Sequence, residues 1–164
     1  MFIAKCLYGL GDTHSAMQVL EELTRDYPNE VYPWLELGKL AQRCGYDHKA
    51  LSAYKRCEPL LEGSSLGLAR QGDWNLLAWL RLKQGVLLAK TRAFEEAEHK
   101  LRQVQNERPE DEYTLEWLAF VLLVQQKWDE ALSVLGAILR KSPHDDWAQQ
   151  EQARAEAGRK ADSQ

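Results

Sequence analysis

The sequence predicts an all-α solenoid in which helix–turn–helix units stack in series and a C-terminal helix caps the last one. Three observations predict it. First, small residues at Ala16, Ala50, Ala97 and Ala131 stand 34, 47 and 34 residues apart, and three other ladders keep the same steps. Those ladders are Leu20, Tyr54, Leu101 and Leu135; Leu23, Cys57, Val104 and Ile138; and Ala4, Gly38, Gly85 and Ala119. Second, within each unit apolar residues recur at the i, i+3, i+4, i+7 spacing of an amphipathic helix. Third, Pro28-Asn29, Pro109-Glu110-Asp111 and Ser142-Pro143-His144-Asp145 punctuate the units. A proline drives its predecessor out of the α region, and the Asn or Asp that follows can cap the next helix.

The period places the elements in order. The first unit, about residues 1–30, is truncated, because Met1 falls four residues beyond where the period would start its first helix. The N-terminus is thus expected to be cut or joined to something. Phe2, Ile3 and Leu7 then lack a covering helix, which predicts a weak homodimer through this end. The second unit, 31–64, opens with Tyr32, Trp34, Leu37, Gly38 and Ala41, breaks at Gly45-Tyr46-Asp47 and resumes with Ala50, Ala53, Tyr54 and Cys57. The odd step of 47 is 34 plus an insertion of 13 residues, at about 65–77. That insertion reads equally as a lengthened turn or as an extension of the next helix, with Asp73 as N-cap. The third and fourth units follow at 78–111 and 112–145. A polar capping helix at 146–159 closes the chain, since a terminal unit must turn a polar face outward.

The arrangement resembles the tetratricopeptide-repeat (TPR) family, whose 34-residue unit carries W-x2-L-G-x2-Y, then A-x3-F, then P. Trp34-x2-Leu37-Gly38-x2-Ala41, Ala50-x3-Tyr54, and the stretches AFEEA (93–97) and KWDEA (127–131) carry the likeness, over about residues 4–145. The departures are Ala41 in place of an aromatic, Gln84 in place of Leu, and Glu62 in place of Pro, with Pro59 breaking the second unit early. The resemblance implies a right-handed superhelix and a role in holding another protein or peptide.

Composition narrows the function. The 164 residues are long enough for one continuous core, with 45% hydrophobic and 28% charged residues and a net charge of −4. That charge disfavours duplex nucleic acid and anionic membranes, and no run of about 20 apolar residues can span a bilayer. Cys6, Cys44 and Cys57 are odd in number, and neither a CxxC nor a Cys/His spacing occurs. They read as thiols of a reducing cytoplasm rather than as disulfide or zinc ligands. His14 and His48 share one solvent-facing repeat position, while His99 and His144 lie elsewhere with no ligand at metal spacing. Ser64-Ser65-Leu66-Gly67 is not a nucleophile elbow, and no Gly-rich phosphate loop occurs. Neither an enzyme nor a bound cofactor is expected.

The first helices of the units are apolar on a second side. A stripe on that side runs Tyr32, Leu35, Lys39 and Arg43; then Trp79, Leu82, Val86 and Lys90; then Tyr113, Glu116, Phe120 and Val124; and on to Trp147. At about 100° per residue it lies opposite the stripe of Trp34, Leu37, Gly38 and Ala41. In the family that the chain resembles, this side lines the concave groove that holds partner segments. Two readings of the stripe stand. Its aromatics either pack against neighbouring helices or form an apolar binding groove. Family members that clamp the acidic tails of heat-shock chaperones carry Lys, Arg and Asn at such places. Here the cations are limited to Lys39, Arg43, Lys90 and Arg154, so a carboxylate clamp is not expected. The chain thus reads as a scaffold or adaptor that binds a protein or peptide. The alternatives are a chaperone for secretion-apparatus subunits, or the repeat portion of a larger enzyme.

Overall fold

The computed structural model describes residues 9, 11–62, 64–65, 70–71 and 74–162. Phe2, Ile3, Leu7, Cys6 and Asp73, and with them the expected N-terminal contact, lie outside the described residues. The fold is the all-α helical-repeat class expected from the period. It divides into two units, Met1–Leu87 and Leu88–Gln164.

The first unit contains α1 (Thr13–Asp26), α2 (Val31–Arg43), α3 (Asp47–Leu61) and most of α4 (Leu76–Lys90). The Asp12 carboxylate starts α1 by accepting from Ser15 N at 3.0 Å. Helix α2 packs on α1 and on α3. It brings in Leu35, Leu37, Gly38 and Ala41, against Ala50, Ala53, Tyr54 and Cys57 of α3. Ala16, Ala41 and Ala50 are completely buried, as close helix crossings require.

Two expectations are corrected here. Pro59 does not end its helix, because α3 runs to Leu61. The proline lacks an N–H for the carbonyl of Lys55, but Glu62 N still bonds Glu58 O at 3.0 Å and Leu61 is fully buried. The insertion contains a two-residue antiparallel pair, β1 (Arg70–Gln71) with β2 (Trp74–Asn75). Helix α4 then begins at Leu76 rather than at Asp73 or 78, and the capping acceptor is Asn75 Oδ1, 2.6 Å from Ala78 N.

The second unit contains the end of α4, then α5 (Phe94–Glu107), α6 (Glu112–Val124), α7 (Trp128–Lys141) and α8 (Asp146–Asp162). Each successive pair from α5 to α8 is in contact. Helices α5 and α7 are amphipathic and bury Ala97, Leu101 and Val104, and Ala131, Leu135 and Ile138. Their first turns carry Glu95-Glu96 and Asp129-Glu130, which favour the positive helix end. Helix α6 is apolar all round and is sandwiched between α5 and α7, burying Leu115, Leu118, Ala119, Val121, Leu122 and Leu123. Helix α8 extends three residues past the expected end, to Asp162, whose carboxylate accepts from Trp128 Nε1 at 2.6 Å. It buries only Ala148 and Ala155.

Candidate partner-binding face

The surface of α6 that the sandwich leaves open is aromatic. Tyr113, Phe120 and Val124 are 44%, 40% and 42% exposed, and Trp147 at the start of α8 is 37% exposed. Because 113, 116, 117, 120 and 124 follow helical spacing, their side chains share one face. The Trp117 ring stands edge-on to both neighbours, 6.4 Å from Tyr113 and 5.8 Å from Phe120. With Trp147, Glu116 and Asp145 these rings line a pocket of about 570 Å³.

The ends of both helices are fixed by carboxylates. Asp111 caps α6 through Thr114 N at 2.9 Å and Thr114 Oγ1 at 2.6 Å. Asp145 caps α8 through Ala148 N at 2.9 Å. Glu116 has neither a hydrogen bond nor an ion pair among the described residues. Burial first, and then the charges of Asp145, Glu112 and Asp111, raise its carboxyl above the usual glutamate range.

The first unit treats the same repeat positions differently. Leu35, Leu82 and Val86 are buried at 2%, 5% and 3% exposure, so they offer no accessible surface. Tyr32 and Arg43 are exposed and Lys39 is half-buried, while Lys90, at the end of α4 in the second unit, is exposed. The half-buried Trp79 ring meets Tyr54 edge-on at 5.9 Å, and the ammonium groups of Lys39 and Lys83 stand 5.4 and 5.7 Å from its centroid. Lys39 is also 3.3 Å from Glu36.

Trp117 and Asp145 line the same pocket but do not belong to the predicted stripe. A signal for Trp117 exists, because its ladder reads Glu36, Lys83, Trp117 and Glu151, one indole among three charges. Asp145 was legible only as a cap. All four histidines are exposed. Among the described residues no group of three or more His, Cys, Asp or Glu is placed to hold a metal, and no helix is long and apolar enough to cross a membrane.

Residues 3–30 match the family model for the tetratricopeptide repeat. No protein of curated function matches the sequence. Among solved structures, MamA superposes with a TM-score of 0.78 at 18% identity, over 97% of this chain and 80% of that one. YrrB, described as a TPR protein with an unusual peptide-binding site, gives 0.77 at 15% identity, over 96% of this chain and 74% of YrrB. A tetratricopeptide repeat protein from Parabacteroides merdae gives 0.72 at 19% identity, over 96% of this chain and 58% of that one. The repeat match at residues 3–30, the 34-residue ladders and the shared fold make this chain similar in fold to tetratricopeptide-repeat proteins.

Proposed function

We propose that this protein is a protein-interaction module that holds a partner segment against the open face of α6 and the start of α8. The observation that carries the reading is the exposure of Tyr113, Phe120 and Trp147 together around one pocket, with Val124 exposed beside them on the same helix face. Contiguous apolar surface of this kind is costly in water unless a partner covers it. Rigid aromatic rings supply large contact area with little side-chain entropy to lose. The peptide-binding site named for YrrB, a neighbour of the same fold, agrees with this reading. Within the first unit, Leu35, Leu82 and Val86 of the predicted groove are buried and support their helices from within.

Panning a random peptide library on the full chain tests the proposal. Selected peptides should lose about thirtyfold in affinity on Phe120→Ala or Trp147→Ala, with the urea midpoint nearly unchanged. Binding that survives both substitutions overturns the assignment to this face.

A further inference from the structure

The α6 pocket differs from the equivalent repeat positions of the first unit in two respects that bear on its ligand. Trp79 of the first unit already carries two cations, Lys39 and Lys83. The repeat period maps Lys39 onto Phe120 and Lys83 onto Trp117. Where the first unit supplies ammonium groups, the second therefore supplies more rings. The period also maps Leu35 and Leu82 onto Glu116, so a carboxylate stands where the second and third repeats carry leucine. None of the six lining residues is cationic, and two are carboxylates.

We infer that this pocket takes the basic side chain of a partner peptide, an arginine or lysine set between apolar residues. The inference rests on the proposed binding role and narrows the partner's chemistry. Ring faces attract a cation within about 6 Å of their centroids, and a carboxylate beside them adds a direct ion pair. Asp145 spends one oxygen on its helix cap, but Glu116 spends none within the described protein. Burial first, and then the charges of Asp145, Glu112 and Asp111, disfavour its ionised form, and an incoming cation offsets those charges. Tyr113, Trp117, Phe120 and Trp147 would hold the apolar stem and flanking residues. An acidic peptide would meet like charges here, in a chain of net charge −4.

The peptides recovered by panning the full chain provide the probe. They should carry Arg or Lys among apolar residues, and replacing that residue with neutral citrulline or norleucine should weaken binding roughly tenfold. Glu116→Gln should weaken the basic peptide by a similar factor and leave its neutral counterpart unaffected. Glu116→Leu, which installs the residue of the second and third repeats and preserves an apolar wall, should abolish the preference for the basic peptide. Peptides that need Phe120 but carry no basic residue, or that bind equally to the Glu116→Gln protein, would overturn this inference and leave the binding face intact. Peptides indifferent to Phe120 and Trp147 would overturn both.

Discussion

The ring of Tyr54 lies so close over Gly38 that a Cβ added to the glycine would stand 2.3 Å from its Cε1. Tyr54 is fully buried and cannot retreat. Alanine is intrinsically better than glycine in a helix by about 1 kcal/mol, yet overpacking here costs roughly 1–3 kcal/mol and decides the sign. Gly38→Ala should lower the thermal midpoint by about 2–4 °C for each kcal/mol lost. Gly158 is the contrasting case. Its Cβ would meet the Trp128 ring at 2.7 Å, but that ring is half-buried and can turn as a whole by giving up its exposed hydrogen bond to Asp162, a loss that the better helix propensity of alanine offsets. Gly158→Ala should stay within about 0.5 kcal/mol of the parent. Equal losses at both sites would contradict this account of the crossing.

The turn between the two helices of each unit is one structure repeated. Gly11, Gly45, Arg92 and Gln126 occupy equivalent places and all have positive φ, at 86°, 76°, 65° and 59°. In the last three turns the next residue donates back five positions, as in Tyr46 N to Ala41 O, Ala93 N to Leu88 O and Lys127 N to Leu122 O, each at 2.9 Å. Left-handed backbone costs a residue with a Cβ about 1–2 kcal/mol, partly offset by the greater unfolded freedom of glycine. Gln126→Gly and Arg92→Gly should each raise stability by about 0.5–1 kcal/mol in urea unfolding, and Gly45→Ala should lower it by a similar amount.

These turns also show where sequence reasoning reaches and where it stops. The buried ladders of Ala16, Ala50, Ala97 and Ala131 were legible because close helix crossings constrain side-chain size at a fixed period. Gly45 was legible as a break, whereas Arg92 and Gln126 conform to the same turn with no local signal of their own. Pro59 misled because burial of Leu61 outweighs one lost helical hydrogen bond. At the candidate site, the exposure of Tyr113, Phe120, Val124 and Trp147 agrees with their position on the second stripe. The burial of Leu35, Leu82 and Val86 on that stripe depends on which neighbours pack beside each helix, and periodicity alone does not carry that information.

Glu98 on α5 makes the second unit sensitive to acid. Its carboxylate accepts from Arg102 Nε at 2.9 Å and from Lys127 Nζ, across on the turn before α7, at 2.6 Å. Burial pushes its pKa up, but the hydrogen bonds and charges of Lys127 and Arg102 outweigh that and hold it below the ordinary value. A carboxyl with a lower pKa folded than unfolded stabilises the protein above the unfolded pKa and ceases to do so as pH falls through the folded one. Glu98→Gln should therefore lower the urea midpoint at neutral pH, and the gap to the parent should narrow as the pH falls below the ordinary carboxylate range. A gap independent of pH would show that the loss comes from packing alone.

Cys57 should be chemically silent in the folded protein. It is fully buried in α3, and burial pushes its thiol up to about 12, only partly opposed by Lys39. The reactive thiolate is then scarce at neutral pH and shielded from reagent. A disulfide reagent should modify the half-buried Cys44 in the native state and reach Cys57 only after denaturation. Peptide mapping that finds Cys57 modified at native rates would mean that the α2–α3 pair opens readily.

Trp79 and Phe120 should part company when each is truncated, although both belong to the same candidate stripe. The indole of Trp79 is half-buried, packs edge-on against the core ring of Tyr54 and is roofed by Lys39 and Lys83. Its removal strips contacts from Tyr54 and leaves two lysines with less to cover, so Trp79→Ala should cost about 2–4 kcal/mol of folding stability. Phe120 touches Trp117 but stands 40% exposed, and its truncation should cost less than about 1 kcal/mol. On the binding side the order should reverse, with Phe120→Ala reducing affinity for a selected peptide more than Trp79→Ala does in the molecules that remain folded. Urea midpoints measured beside peptide titrations of both variants check the two orders together. Equal destabilisation by the two substitutions would return Phe120 to the core, and equal loss of affinity would extend the binding face to Trp79.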